Sequence, residues 1–146
     1  MAQSQKLQTR KFEDDAVIAA AISESKVSFE IGVPKMIALG VPSMQAKIIV
    51  RVTEPIYIGR SFADDEVEAF LDLHHFGAED LGVSRKHLRL WSENGELFVE
   101  DLGSTNGTRF NSVRMTAYTP QRVHHGDQIS LSNLVLTVEF IYDLLA

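Results

Sequence analysis

From Ala46 to Tyr142 the sequence is cut into short runs rich in β-branched and aromatic residues, each bounded by turn-forming residues. That rhythm restricts the chain to an all-β fold. Ala46 to Val52 (AKIIVRV) and Ile56 to Gly59 read as strands on either side of Thr53-Glu54-Pro55. His87 to Trp91 and Leu97 to Asp101 flank Ser92-Glu93-Asn94-Gly95-Glu96, and Asn94-Gly95 can adopt the positive φ angles of a tight hairpin. Gly126-Asp127 marks a further turn, after which Gln128 to Leu131 and Val135 to Tyr142 read as a closing pair of strands. Many short strands joined by turns predict a two-sheet β-sandwich.

Residues 1–45 differ in pattern and read as an N-terminal extension, leaving 46–142 as the domain and 143–146 as a C-terminal tail. A short helix is expected from Asp14 to Glu24, with Val17, Ile18, Ala21 and Ile22 on one face. Val27, Phe29 and Ile31 then alternate as in a strand, and Gly32-Val33-Pro34 and Gly40-Val41-Pro42 are expected to form two loops.

Composition removes several classes of function. At 146 residues the chain fits one domain. It has no cysteine, which excludes disulfides, thiolate metal sites and a cysteine nucleophile. The polar stretch Met1 to Arg10 and the lack of an apolar run of about 18 residues predict a cytoplasmic protein with no membrane partner. A net charge of −6 argues against nucleic acid as a ligand, since such binding needs a basic face. The acidity is local: seven of the 20 acidic side chains lie between Ser61 and Asp80, which holds no Lys or Arg, leaving 13 acidic against 14 basic side chains elsewhere.

Four short signals occur in order at expected strand boundaries: Gly59-Arg60, Ser84-Arg85-Lys86-His87, Leu102-Gly103-Ser104-Thr105-Asn106-Gly107-Thr108, and His125-Gly126-Asp127. In that order, over about Ala46 to Tyr142, the chain resembles the forkhead-associated (FHA) domain, whose hallmarks are GR, SxxH and a later NG pair. The resemblance implies an FHA/SMAD-like β-sandwich that binds phosphothreonine-containing proteins through loops at one end, without catalysis and without a cofactor. It implies as partners a Ser/Thr kinase or its substrates. The alternative on the same fold is a scaffold whose partner binds independently of phosphate.

Phosphothreonine carries nearly two negative charges and three acceptor oxygens, so its receptor needs fixed donors. Arg60 supplies a planar fork able to hold two phosphate oxygens, and Gly59 before it allows a close backbone approach. By resemblance, Ser84 and the following Arg85 contact the phosphate, as does Thr105, while Asn106 bonds the ligand backbone. His87 is expected to brace the loops, and Gly107 and Thr108 to shape the turn and start a strand. Lys86, Arg89 and Arg109 read as solvated strand positions.

The acidic stretch between Arg60 and Ser84 holds Val67 to Leu73 (VEAFLDL), where a strand near Leu71 to Leu73 is expected. The stretch reads as a solvated loop carrying that strand; the functional alternative is that its acids favour a ligand with Lys or Arg near the phosphothreonine. The pairs His74-His75 and His124-His125 fall in turns with no common face, so no metal site is expected. An enzyme reading would join Ser84, His87 and Asp101 as a hydrolase triad, but Gly82-Val83-Ser84-Arg85-Lys86 lacks the second glycine of a nucleophile elbow. Small single-domain members of the family can bind their own phosphorylated N-terminus. Thr9, the only threonine in residues 1–45 and three residues before Phe12, is therefore the candidate phosphorylation site for self-association.

Overall fold

The structure, a computed structural model, describes residues 35–61 and 69–142. The expected helix Asp14–Glu24, the alternation from Val27 to Ile31, the Gly32-Val33-Pro34 turn, Thr9 and residues 143–146 lie outside the described residues.

The strands are β1 (Met36–Val41), β2 (Ala46–Arg51), β3 (Ile56–Gly59), β4 (Phe70–Asp72), β5 (Leu88–Glu93), β6 (Glu96–Asp101), β7 (Thr108–Phe110), β8 (Val113–Arg114), β9 (Gln121–Val123), β10 (Gln128–Leu131) and β11 (Leu134–Ile141). They form a six-stranded sheet in the order β2-β1-β11-β10-β7-β8 and a five-stranded sheet in the order β4-β3-β5-β6-β9. Among the described residues each strand pairing is antiparallel except β3 with β4, which run parallel across the acidic insertion.

Period-two patterning produces the core. On β11, Leu134, Leu136 and Val138 are buried and alternate with partly exposed Val135, Thr137 and Glu139. Leu88 and Leu90 on β5, Leu97 and Val99 on β6, and Ile37 and Leu39 on β1 join the same apolar cluster, which fills the space between the sheets. Each such leucine contributes about 1.5 to 3 kcal/mol relative to exposure. Asp101 continues the inward alternation of β6 and is therefore buried, with 4% exposure.

The expected hairpin is present, with Asn94 at φ 53° and Gly95 at φ 78°. Both central residues have positive φ, which matches the twist of the flanking strands. The acidic insertion carries its strand at Phe70–Asp72, close to the expected position.

Two features differ from the sequence reading. Gly40 and Val41 belong to β1, not to a loop, and Pro42 opens the short 3-10 turn that follows (Pro42–Met44). The six-stranded sheet thus contains a strand upstream of Ala46, paired with both β2 and β11. Gly40 is tolerated mid-strand because it faces Thr137, whose Oγ1 would collide with any Cβ there. The second difference is the pair β8 and β9, absent from the sequence reading because their residues are few and mostly exposed.

Candidate functional site

Register brings the site together. Ile58 pairs with Leu88 and Leu88 with Asp101, so β3 ends, β5 begins and β6 ends at one level of the five-stranded sheet. Thr108 pairs with Leu131 at the corresponding end of the other sheet. The residues after β3, before β5 and between β6 and β7 therefore emerge side by side.

Gly59 ends β3 under the chain at Ser84-Arg85. A Cβ on Gly59 would overlap the Arg85 carbonyl, and would stand 2.7 Å from the Ser84 carbonyl oxygen. That closeness lets the Arg60 N–H donate to the Arg85 carbonyl at 3.0 Å. The Arg60 side chain is half-buried, and its Nε donates to the Val83 carbonyl at 2.6 Å. One edge of the guanidinium is thus pinned to the protein, which leaves the terminal Nη groups as its outward donors.

Ser84 Oγ accepts the Thr105 backbone N–H at 3.0 Å, tying the loop before β5 to the loop after β6. With an acceptor site of the oxygen so used, the O–H is what Ser84 offers outward. Arg60, Ser84, Arg85 and Thr105 line one cleft of about 360 Å³, together with Lys86, Gly103 and Ser104. Among the described residues the lining holds three cationic side chains and no acidic one, and neither Arg60 nor Arg85 forms an ion pair there. Asn106 stands outside this lining; its Nδ2 donates to the Gly82 carbonyl at 2.9 Å, closing its turn onto the neighbouring loop. Lys86, read as a solvated strand position, sits before β5 and lines the cleft.

Beneath the cleft lies a buried polar network. His87, with no exposed surface, accepts the Ser84 backbone N–H on Nδ1 at 3.0 Å. An N–H can only donate, so Nδ1 is unprotonated and Nε2 carries the hydrogen. Nε2 faces the Gly107 carbonyl at 3.2 Å and Thr108 Oγ1 at 3.0 Å. Thr108 in turn donates to Asp101 Oδ1 at 2.6 Å. Burial holds the His87 pKa below its usual value, against the opposing pull of the Asp101 charge and the Gly107 carbonyl.

Asp101 organises the β6–β7 loop. Its Oδ1 also accepts the Ser104 hydroxyl at 2.6 Å, and its Oδ2 accepts the backbone N–H groups of Gly103 (3.0 Å) and Ser104 (3.2 Å). Burial would raise the pKa of this carboxyl, but the bonds from Ser104, Thr108 and Gly103 outweigh it and hold it lowered. Ser104 Oγ also accepts the Gly107 N–H at 3.0 Å. Gly103 and Gly107 take φ of 74° and 86°, conformations that a side chain would strain.

The geometry separates Ser84, His87 and Asp101 from a hydrolase triad. His87 receives the Ser84 amide, not its hydroxyl, and the His87–Asp101 approach of 3.9 Å is beyond hydrogen-bonding distance. Sequence reading named Ser104 only as part of its turn, without a role, and missed the structural use of Asp101. Their signal is the Asp101-Leu102-Gly103-Ser104 spacing, in which an Asp side chain caps the amides of a following turn. Of the acids in the insertion, 64, 65, 66 and 68 lie outside the described residues, and Asp72, Glu79 and Asp80 do not line the cleft. Asp72 accepts the backbone N–H groups of Ser61 and His74, both at 2.8 Å, and so closes its own loop. Among the described residues, no group of three or more His, Asp or Glu is placed to hold a metal ion, and no helix is long and apolar enough to cross a membrane.

Comparison with known proteins gives a consistent result. The family model described as the FHA domain matches residues 56–132, more than half of the chain. An FHA domain-containing protein of Arabidopsis thaliana is 39% identical over 66 residues, covering 44% of this chain and 17% of its own length. The chain spans less than half the length of the curated relatives it matches. Among solved structures, the FHA domain of an Arabidopsis thaliana hypothetical protein superposes with a TM-score of 0.61 at 25% identity, covering 84% of this chain and 99% of that one. The N-terminal FHA domain of Saccharomyces cerevisiae Rad53p, solved in complex with a phosphothreonine peptide, shares the fold with a TM-score of 0.54 at 19% identity, covering 73% of this chain and 94% of that one.

Proposed function

Because the chain belongs to the FHA-domain family, we propose that it is a phosphothreonine-dependent protein-binding module that engages phosphorylated partners through the cleft at one end of its sandwich. The observation that carries this reading is the cleft, where Arg60, Ser84, Arg85 and Thr105 meet with Lys86 and, among the described residues, no acid lines it. A dianionic phosphoryl group fits that donor set. The Nη groups of Arg60 take two of its oxygens, the Ser84 hydroxyl takes a third contact, and Arg85 adds charge from the exposed side.

Rigidity supports the same assignment. Arg60 is held through both its backbone and its Nε, and Thr105 is tied to Ser84 Oγ, so these donors need little reordering when a ligand arrives. Asn106, which has a carbonyl and an amide, is the residue we assign to the backbone of the bound peptide; this use competes with its bond to Gly82 or keeps that bond and employs Oδ1. His87, Gly59, Gly107 and Thr108 serve the site as supports. The partners are phosphothreonine-containing proteins, a Ser/Thr kinase or its substrates among them, and the cytoplasm is the compartment of action. Phosphorylated Thr9 is a candidate internal ligand.

The test is a titration of the full chain with matched phosphorylated and unmodified threonine peptides. Binding confined to the phosphorylated form is expected, with Arg60→Ala weakening it by about 2 to 5 kcal/mol. Equal binding of both forms would replace this reading with a phosphate-independent scaffold.

A further inference from the structure

The loop that forms one wall of the phosphate cleft has a second side. There, segment 111–120 packs on both of its left-handed glycines. Tyr118 covers Gly103 and donates its hydroxyl to the Leu102 carbonyl at 3.0 Å. The Arg114 guanidinium lies against Gly107: a Cβ at that position would meet Cζ at 2.6 Å and Nε and Nη2 at 2.7 Å.

Arg114 does not stand alone. It pairs directly with Arg109 across β7 and β8, which puts both side chains on one face of the hairpin. Both are exposed, and among the described residues neither forms an ion pair. Like charges set opposite each other on neighbouring strands destabilise a sheet unless an anion intervenes. Arg114 also lines a groove of about 440 Å³ with Phe110, Val113, Met115 and Pro120, so this arginine joins the groove to the Gly107 turn.

We propose that Arg109 and Arg114 form a second anion subsite, across the Gly103–Gly107 turn from the phosphate cleft. It takes a carboxylate or a second phosphate carried by the same phosphorylated partner. The subsite rests on the phosphothreonine reading above, because it requires a ligand already anchored in the cleft. It makes the domain a reader of acidic or multiply phosphorylated segments. That is the opposite of the basic flank which the acidic insertion between Arg60 and Ser84 suggests from sequence.

The experiment uses the full chain and phosphothreonine peptides on a neutral background. Asp, phosphoserine or Lys is placed in turn at each of four positions on either side of the phosphothreonine, and affinity is read by fluorescence anisotropy. At one or more adjacent positions Asp is expected to bind roughly twofold to fivefold more tightly than Lys, the range of an exposed charge pair. The Arg109→Gln/Arg114→Gln double variant erases this difference, and Arg109→Glu/Arg114→Glu reverses it. Urea unfolding of the variants checks that they remain folded. A gain from phosphoserine alone assigns the subsite to a second phosphate, and a gain from both assigns it to anions generally.

Lys equal to or better than both Asp and phosphoserine at every position overturns the subsite while leaving phosphothreonine binding intact. Acid preference that survives in the Gln double variant overturns it equally. Failure of any phosphorylated peptide to exceed its unmodified match overturns the underlying reading and the subsite with it.

Discussion

His87 accepts the backbone amide of Ser84 on Nδ1 at 3.0 Å, so a ring without exposed surface positions the residue assigned to the phosphate. Its other nitrogen faces Gly107 and Thr108 across the gap between the loops. One side chain thus spans two segments of chain that are 20 residues apart.

Replacing His87 by Ala leaves the Ser84 amide, the Gly107 carbonyl and the Thr108 hydroxyl without this partner and opens a cavity. Each unsatisfied buried group costs about 1 to 3 kcal/mol, less where water enters or a neighbour relaxes. The variant is expected to lose about 3 kcal/mol in urea unfolding, and to bind phosphopeptide more weakly even where it stays folded. A loss below about 1 kcal/mol would show that the network does not brace the loops.

Acid acts on the same contact. The folded-state pKa of His87 is lowered from 6.5, so the unfolded chain binds the proton more readily. The stabilisation from neutral His87 is therefore complete above pH 6.5 and is lost as pH falls through the lowered folded value, at a slope of up to about 1.4 kcal/mol per pH unit. Asp101, lowered from 3.8, adds its own loss only at more acidic pH. Unfolding free energy is expected to drop between pH 7.5 and 5. The test must read stability, not peptide affinity, because the phosphate itself titrates near pH 6. An unchanged unfolding midpoint over that range, or an equal drop in a folded His87→Gln variant, contradicts the assignment.

Asp101→Asn removes a charge but nearly keeps the shape. The new NH2 must face either the two backbone N–H groups of Gly103 and Ser104 or the hydroxyls of Ser104 and Thr108. The first choice sets donor against donor. The second uses hydroxyls that already receive hydrogen bonds from Gly107 and His87. A loss of about 2 to 3 kcal/mol in stability is expected, with weaker phosphopeptide binding. Stability equal to the parent protein would mean that the β6–β7 loop is held by other contacts.

Gly59 and Gly95 provide a matched comparison. A Cβ at Gly59 overlaps the Arg85 carbonyl, so Gly59→Ala must displace the loop that carries Ser84 and Arg85, at about 1 to 3 kcal/mol. At Gly95 a Cβ meets nothing within 4 Å, but φ is +78°, and the strain costs about 1 to 2 kcal/mol. Both variants are expected to lose comparable stability. Only Gly59→Ala is expected to lose phosphopeptide affinity, since Gly95 lies at the opposite end of the β5–β6 hairpin from Leu88 and Asp101. Calorimetric titration of the two variants separates these effects.

How much was legible in the sequence depended on whether the signal was local. The hairpin at Asn94-Gly95 was readable because its backbone demands residues of that kind. Arg60, Ser84, Arg85 and Thr105 were readable as a set through their order along the chain, and the structure brings them to one cleft. Strand β1 was obscured because Gly40 and Pro42 look like loop residues, while the reason for Gly40 is Thr137, nearly a hundred residues away. Arg114 was invisible for the same reason: its proximity to Gly107 depends on a strand of two exposed residues whose position follows from pairing with β7. Ser104 was named within its turn, but its three hydrogen bonds, two with Asp101 and one with Gly107, become apparent only once Asp101 is buried at the end of β6.

The arrangement of the polar network has a consequence for how relatives of such a domain can diverge. The contacts that shape the cleft originate at the paired ends of β5 and β6, in His87 and Asp101, and pass inward through atoms hidden from solvent. Side chains at 109, 114 and 118 approach the same turn from outside and have no bond to His87 or to the Asp101 carboxylate. Substitution on that outer surface can therefore reshape the groove around the turn while the buried contacts that shape the cleft stay intact. The two faces of the turn are free to change separately.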